Sequence, residues 1–330
     1  MDTSTATKPH DRLAATLDRE MAAVNDLIRA RMVSQHAPRI PEVTAHLVEA
    51  GGKRLRPMLT LAAARLCGYF GDHHIRLAAT VEFIHTATLL HDDVVDESTL
   101  RRGNATANET FGNPASVLVG DFLYSRAFQM MVDVGEMRIM QILANATNVI
   151  AEGEVLQLMN MHDASLDEAS YLHVIRSKTA KLFEASARLA AVLSKVEPGL
   201  EQACADYGQA LGTAFQIIDD VLDYDGSAAE MGKNLGDDLR EGKATLPLIS
   251  AIQRANAAES DLIRTAIEQG STVHLEDIVR IVRSTGALEV ARACAAAEAE
   301  RAIASLDAVP SNAYRACLIQ LAAQLLGRRT

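Results

Sequence analysis

The sequence predicts an all-α protein folded as one domain, and three observations support this prediction. Apolar residues recur at helical spacing through long segments, at 75–90, 136–161, 178–195 and 200–222. No run of alternating Val, Ile or Thr bounded by tight-turn residues predicts a sheet. Aromatic residues make up only 4% of the chain, so Leu, Ala, Ile and Met must fill the core.

Glycine and proline residues mark where the helices are joined. The motif GGKRLRP predicts a basic turn followed by a helix that starts near Pro57, since proline suits a first helical position. The segment 103–114 (GNATANETFGNP) predicts a loop, and the polar stretch 225–243 predicts a mobile segment. No repeat or linker divides the chain, which predicts a single domain over 1–330 with residues 1–10 disordered.

Composition and charge exclude several classes of protein. With 48% hydrophobic residues in 330, the chain can bury a sizeable core. Its net charge of −11 disfavours a general nucleic-acid binder, which needs a basic surface. The four cysteines have no metal-site spacing and are expected to be reduced thiols. The polar start of the sequence and the lack of an apolar run approaching about 18 residues predict a soluble, cytoplasmic protein without a signal peptide or membrane span.

A first acidic cluster, Asp92, Asp93 and Asp96, follows an apolar helical segment. Asp92 and Asp96 lie about one turn apart on one helix face, where like charges repel. Mg²⁺ would reverse that repulsion, because it binds a few carboxylates and completes its shell with water and phosphate oxygens. The alternative is a solvated acidic helix end.

A second acidic cluster repeats the pattern, which makes a chance origin of either cluster less plausible. Asp219, Asp220 and Asp223 have the same spacing and also follow an apolar helical stretch. Two acidic faces, each at the end of a buried helix, predict opposing walls of one cavity. Such a cavity would hold several Mg²⁺ ions with an anionic ligand between them.

Basic and hydroxyl side chains complete the candidate site. Arginine suits bidentate contact with phosphate oxygens, lysine supplies a compact charge, and nearby glycines let the backbone approach an anion. Taken singly, each is more often a surface charge. Together they predict one diphosphate bound through metals and a second bound directly. The residues are Lys53, Arg56, Arg101, Arg102, Lys178, Thr179, Lys233 and Lys243.

Five segments of the chain resemble the motifs of the all-trans polyprenyl diphosphate synthases. They are GGKRLRP, LLHDDVVDESTLRRG, KTAKLFEASARLAA, GTAFQIIDDVLDY and GKNLGDDLREGKATLPLI. They occur in the family's order from about residue 45 to 250, and both aspartate motifs are complete. The combination is specific in a way that no single motif is.

The resemblance implies an antiparallel helical bundle around a central cavity, the isoprenoid synthase fold, and a homodimer. It assigns two Mg²⁺ ions to Asp92 and Asp96 and a third to Asp219 with Asp223, about three per active site. The allylic diphosphate would contact Arg101, Lys178, Thr179, Gln216, Lys233 and Lys243. Isopentenyl diphosphate would contact Lys53, Arg56, His85 and Arg102. As alternatives, His85 would be a core histidine and Gln216 a buried, satisfied amide.

The implied reaction is a repeated condensation of an allylic prenyl diphosphate with isopentenyl diphosphate. Asp92, Asp96, Arg101, Lys178, Asp219 and Lys233 form the expected catalytic set, which stabilises the leaving diphosphate. The allylic cation is then attacked by the double bond of isopentenyl diphosphate, and a proton is lost, for which the resemblance implies the released diphosphate as the acceptor.

Product length is partly predicted by the helix that precedes the first aspartate motif. Family members with short products carry bulky aromatics four or five residues before the first aspartate, where this chain has Thr88 and Ala87. On a helix, Thr88 lies on the same stripe as Asp92, so an open channel and a product of about eight to ten isoprene units are expected. Such chains become side chains of quinones such as ubiquinone, with at most transient membrane contact at product release. The alternative is that both small residues only allow close helix packing.

Four other functions remain open at this point. A shorter-chain farnesyl or geranylgeranyl synthase would have the same motifs. A class I terpene cyclase would need no second diphosphate site, so GGKRLRP argues against it. A non-catalytic subunit of a heteromeric synthase usually has damaged aspartate motifs, whereas both are whole here. A helical scaffold gives no reason for two such acidic clusters.

Overall fold

The structure, a computed structural model, describes residues 9–49, 51–101, 103–225 and 235–325. The predicted all-α fold is confirmed. The α-helices are α1 (Pro9–Thr16), α2 (Asp18–Arg31), α3 (Arg39–Glu49), α4 (Leu55–Leu66), α5 (His73–Val95), α6 (Ala107–Phe111), α7 (Asn113–Val134), α8 (Met137–Met159), α9 (Glu168–Ile175), α10 (Lys181–Leu193), α11 (Pro198–Asp225), α12 (Asp237–Arg240), α13 (Leu246–Arg254), α14 (Ala257–Gln269), α15 (Leu275–Ser284), α16 (Ala287–Ser305) and α17 (Ala313–Leu325). A π-helical turn, Arg176–Ala180, joins α9 to α10, and a 3₁₀ turn, Leu306–Ala308, follows α16. In the described residues, no helix is long and apolar enough to cross a membrane.

The prediction of a loop over 103–114 was wrong. Strand β2 (Asn104–Ala105) pairs antiparallel with β1 (Leu100–Arg101), and α6 follows at once. This short helix forms because Ala107 and Asn108 are buried and the Asn108 amide donates to the Ser98 carbonyl at 3.2 Å. Tertiary contacts thus order a segment whose local sequence favours a turn.

Other predicted boundaries differ less from the structure. Helix α4 begins at Leu55, so Pro57 lies within its first turn. Of the polar stretch 225–243, residues 226–234 lie outside the described residues, and α12 forms in the remainder. Of the residues predicted to be disordered, 1–8 also lie outside the described part, and Pro9 starts α1.

The helices pack around two clusters of buried apolar side chains. The larger cluster draws on α4, α5, α7, α8 and α10, and the smaller on α9 and α13–α16. The long helix α11 belongs to both, with Tyr207 and Leu211 in the first cluster and Ile217 and Val221 in the second. The helix therefore passes from one cluster to the other between Leu211 and Ile217, just before its acidic C-terminal end.

Two helical glycines let the helices around this junction approach closely. A Cβ at Gly212 of α11 would lie 2.7 Å from the Cα of Ala180, and one at Gly153 of α8 would lie 2.8 Å from the backbone N of Lys178. Because these contacts are with backbone, a larger residue could not be accommodated by moving a side chain. The glycines therefore allow the π-helical turn to fit between α8 and α11.

Candidate active site

A cavity of about 780 Å³ lies between the two apolar clusters and is lined by the predicted site residues. Those on its wall are Lys53, Arg56, His85, Asp92, Asp96, Arg101, Lys178, Thr179, Gln216, Asp219, Asp223 and Lys243. Arg102 and Lys233 lie outside the described residues. The fold thus brings together residues separated by more than half the chain.

The first aspartate motif divides its carboxylates between two directions. Asp92 and Asp96, one turn apart at the end of α5, line the cavity. Asp93 is fully buried and accepts hydrogen bonds from Arg101 on both oxygens, from Nε at 2.9 and 3.1 Å and from a terminal nitrogen at 2.5 Å. Asp93, the middle aspartate of the motif, therefore holds in place Arg101, which is predicted to contact the diphosphate.

Lysines from other walls lie beside both carboxylates of this motif that line the cavity. The Lys243 Nζ lies 3.0 Å from an oxygen of Asp96 and 2.5 Å from one of Glu241. The Lys178 Nζ lies 3.9 Å from an oxygen of Asp92 and 2.6 Å from one of Glu154. These ammonium groups offset the repulsion between the carboxylates.

The electrostatics of the site reflect burial and crowded charges. Burial raises the pKa of the Asp92 carboxyl, with Lys178 opposing the change and Asp96 adding to it. Burial also raises the pKa of Glu154 to about 7, again against Lys178. For Lys243, burial alone would lower the pKa, but Asp96 and Glu241 outweigh it and raise the pKa. The cavity therefore favours added positive charge near its carboxylates.

The second aspartate motif, at the end of α11, also has a buried, hydrogen-bonded middle aspartate, but here all three aspartates line the cavity. Asp219 and Asp223 line the cavity, and Asp223 accepts a hydrogen bond from the backbone N–H of Asp238 at 3.3 Å. Asp220 is buried at 4% exposure and accepts from the Tyr171 hydroxyl at 2.5 Å and from the Gln216 amide at 2.8 Å. Burial raises the pKa of Asp220 well above its usual range, with a further contribution from Asp238, whereas the hydrogen bonds from Tyr171 and Gln216 oppose this rise by favouring the ionised carboxylate.

A basic turn at the start of α4 forms another part of the cavity wall. Arg54 adopts a left-handed backbone conformation with φ of 48° and forms an ion pair with Glu82 of α5. The Arg56 guanidinium lies over the ring of Phe183, 4.4 Å from its centroid. Lys53 also lines the cavity on this side. The turn thus presents several cations to the cavity without a carboxylate motif of its own.

The donor set of the two aspartate motifs fits Mg²⁺. It consists of carboxylate oxygens, which hard divalent cations prefer, at the wall of a cavity large enough for a phosphate ligand. In the described part of the chain, no three His, Cys, Asp or Glu side chains are already grouped to hold an ion. Water and phosphate oxygens would therefore have to supply most of the ligands, as is usual for Mg²⁺.

Sequence reasoning missed several residues of the cavity. Glu154 follows Gly153 within α8, and a glycine inside an amphipathic helix is a signal of close backbone approach. Tyr171 gave no signal, because its hydroxyl finds Asp220 only once α9 packs against α11. The pair of Arg54 and Glu82 depends on tertiary packing in the same way.

Two positions expected to affect product length differ in their surroundings. Thr88 lines the cavity, one turn before Asp92, and its hydroxyl donates to the His85 carbonyl within α5. Ala87 is fully buried in the larger apolar cluster. Within the described residues, only the first of the two belongs to the cavity wall.

Comparison with known proteins gives consistent matches along the chain. The polyprenyl synthetase family model matches residues 37–284. The chain is 51% identical over 304 residues to octaprenyl diphosphate synthase of Escherichia coli K12, covering 92% of this chain and 94% of that protein.

Solved structures with the same fold agree with these matches. The decaprenyl diphosphate synthase of Rhodobacter capsulatus has a TM-score of 0.92 and 55% identity, covering 97% of this chain and 99% of that one. A polyprenyl synthase of Caulobacter crescentus CB15, complexed with calcium and isoprenyl diphosphate, has a TM-score of 0.94 and 48% identity, covering 98% and 99%.

Proposed function

Since the chain belongs to the polyprenyl synthetase family, we propose that it is a prenyltransferase that makes a long all-trans polyprenyl diphosphate. It condenses an allylic prenyl diphosphate repeatedly with isopentenyl diphosphate to about eight to ten isoprene units, in the range of the octaprenyl and decaprenyl relatives. The product would serve as a quinone side chain. The observation that carries this proposal is one cavity lined by both aspartate motifs and a separate basic turn.

The allylic diphosphate is assigned to the region between the two aspartate motifs. Asp92 and Asp96 would hold two Mg²⁺ ions, and Asp219 with Asp223 a third, consistent with the calcium in the Caulobacter crescentus structure. Bound there, Mg²⁺ would neutralise charge on the diphosphate as it leaves.

Residues of this chain place the leaving diphosphate. Arg101, already held by Asp93, presents a fixed guanidinium, which suits bidentate contact with phosphate oxygens. Lys178 and Lys243 lie beside the metal-binding carboxylates and can move to the diphosphate once a metal ion replaces them. Lys233 and Arg102, which lie outside the described residues, keep their assigned roles as proposals.

Isopentenyl diphosphate is assigned to the basic turn. Lys53, Arg56 and His85 line the cavity there and would hold the second diphosphate without metal. Fixing both substrates in one cavity turns a bimolecular reaction into an effectively unimolecular one. Apolar side chains that also line the cavity, including Leu89, Val174 and Phe215, limit the access of water to the allylic cation.

Product analysis tests the proposed activity. Purified protein is given Mg²⁺, farnesyl diphosphate and labelled isopentenyl diphosphate, and the dephosphorylated products are separated by length. A ladder ending near eight to ten units is expected. A stop at three or four units would assign a shorter-chain synthase, and cyclised or hydrolysed farnesyl groups without incorporation would assign a cyclase.

The proposal includes a homodimer in the cytoplasm, built from single-domain chains. Apolar side chains are exposed on two helices, Leu118 and Val132 on α7 and Leu158 and Met159 on α8, with exposures of 54–75%. Covering them with a second copy would remove this apolar surface from water. Light scattering should give a dimer for the wild type and a monomer for Leu158→Lys, and a monomeric wild type would contradict the proposed homodimer.

The four cysteines are free thiols, as a reducing compartment would keep them.

A further inference from the structure

A series of buried hydrogen bonds links a tyrosine outside the sequence motifs, which itself lines the cavity, to the predicted ligand Gln216. The Tyr171 hydroxyl, on α9, donates to one oxygen of Asp220 at 2.5 Å. The other oxygen of Asp220 accepts from the Gln216 amide nitrogen at 2.8 Å, and the Gln216 oxygen accepts from the Thr179 hydroxyl at 2.9 Å. Tyr171, Asp220 and Thr179 are all buried.

The order of donors in this series fixes the orientation of the Gln216 amide. A tyrosine hydroxyl has one proton, and here it goes to Asp220. Because both oxygens of Asp220 accept, the amide nitrogen of Gln216 faces Asp220 and its oxygen faces Thr179. One amide proton is used on Asp220, and the second is the one that a ligand in the cavity would receive.

The hydrogen bond to Gln216 also determines what the Thr179 hydroxyl can offer a ligand. Its only hydroxyl proton goes to Gln216, so its oxygen presents lone pairs to the cavity that it lines. Of these two neighbours, Gln216 is therefore the hydrogen-bond donor for an anion in this arrangement.

We propose that Tyr171 is a positioning residue for the allylic diphosphate: by holding Asp220, it keeps the Gln216 amide turned to donate to that diphosphate. This inference rests on the proposed function, because it takes the diphosphate between the aspartate motifs as the ligand. Tyr171 itself need not touch the substrate. Its hydroxyl acts through two hydrogen bonds, its own to Asp220 and that of Gln216 to Asp220, and a buried group left without its partner is costly.

The protein contains a second buried tyrosine that serves as a matched control for the Tyr171 hydroxyl. Tyr207, on α11, is also buried, and its hydroxyl makes one hydrogen bond, to the Leu318 carbonyl at 2.8 Å. Tyr207 lies in the larger apolar cluster, and within the described residues it does not line the cavity. Tyr207→Phe and Tyr171→Phe therefore remove the same group from similarly buried side chains, but only Tyr171 lines the cavity and is linked through Asp220 to Gln216.

The first test compares the two variants in thermal unfolding and in kinetics. Both should lower Tm by similar amounts. Tyr171→Phe alone should raise KM for farnesyl diphosphate, by about tenfold, with KM for isopentenyl diphosphate unchanged. Equal kinetics for the two variants would overturn the proposal, and so would a rise in the KM of both substrates together.

A second test asks whether the effect runs through Gln216. In a Gln216→Leu background, Tyr171→Phe should change KM for farnesyl diphosphate by less than about twofold, because the amide to be oriented is gone. A full additional tenfold rise would contradict the proposal.

Titration with inorganic diphosphate in the presence of Mg²⁺ separates this proposal from the proposed function. Tyr171→Phe should raise Kd by about tenfold and Tyr207→Phe should leave it unchanged. If the wild type incorporates no isopentenyl diphosphate, the proposed function fails, and this Kd comparison still decides the role of Tyr171.

Discussion

Asp92 and Asp93 are neighbours in sequence, yet their structural roles predict opposite effects on stability. Asp92 lines the cavity beside Asp96, and burial raises the pKa of its carboxyl. A raised pKa means that the ionised carboxylate destabilises the folded state at neutral pH. Asp92→Asn should therefore keep or raise Tm, because Lys178 retains Glu154 as its partner at 2.6 Å. Its turnover should fall by at least about 10²-fold, since a proposed metal ligand is lost.

Asp93→Asn should have the opposite effect on stability. Asp93 is fully buried and receives three hydrogen bonds from Arg101, so the change leaves a guanidinium without its counter-charge. Breaking a buried pair by removing one partner costs about 3 kcal/mol or more. With an unfolding entropy of roughly 2.1 cal/mol/K per residue over this chain length, 3 kcal/mol corresponds to a Tm decrease of about 4 °C.

Differential scanning calorimetry of the wild type and both variants, without metal, measures the two effects side by side. Steady-state assays on the same preparations give the loss of turnover. A lower Tm for Asp92→Asn with an unchanged one for Asp93→Asn would refute the assignment of the two carboxylates. Near-normal turnover in Asp92→Asn would refute the metal site itself.

Three further predictions concern acid stability, metal binding and product length. Burial, with a contribution from Arg65, lowers the pKa of His74 to about 4 from the ordinary 6.5, so below about pH 6.5 the unfolded chain binds a proton that the folded one does not. The free energy of unfolding should therefore fall as the pH falls below about 6.5, by about 2 kcal/mol at pH 5. In His74→Leu the plot of Tm against pH should be flatter, and an unchanged slope in this variant would contradict the role of His74. Lys243→Gln removes the ammonium group that lies 3.0 Å from Asp96, so it should tighten Mn²⁺ binding, measured by calorimetry without diphosphate, by about tenfold. Lys181→Gln is the control, because Lys181 is paired with Glu184 and, among the described residues, does not line the cavity. Unchanged or weaker Mn²⁺ binding in Lys243→Gln would show that this lysine does not compete with the metal. Thr88→Phe should shorten the product ladder, because the side chain lines the cavity and gives up only a hydrogen bond within its own helix; an unchanged ladder would show that the growing chain does not pass this residue.

The sequence predicted the class of the fold and the aspartates on the cavity wall because both depend on short-range patterns. Apolar spacing identifies helices, and two DDxxD motifs at helix ends placed Asp92, Asp96, Asp219 and Asp223 on a common cavity, where the structure has them. The loop predicted over 103–114 was wrong because this segment depends on long-range contacts. Its glycine, asparagine and proline content favours a turn, but contacts with distant residues fold part of it into a helix.

Contacts made by the middle aspartates could not be predicted from spacing. A DDxxD pattern does not show that Asp93 holds Arg101 or that Asp220 holds Tyr171, because each partner reaches its carboxylate only after a separate segment has packed. The π-helical turn that carries Lys178 could not be predicted from local sequence either. It depends on the close approach of α8 at Gly153, and a local propensity does not contain that information.

One cavity holding two diphosphates at separate positions is the central claim, and the KM values of Arg56→Gln test it most directly. Arg56 lines the cavity at the basic turn, away from both aspartate motifs in the sequence. Its loss should raise KM for isopentenyl diphosphate by about tenfold or more and leave KM for farnesyl diphosphate unchanged. Arg65→Gln, on the same helix but paired with Glu20, should change neither value. An equal rise for both substrates in Arg56→Gln, or a rise for farnesyl diphosphate alone, would contradict two separate diphosphate sites.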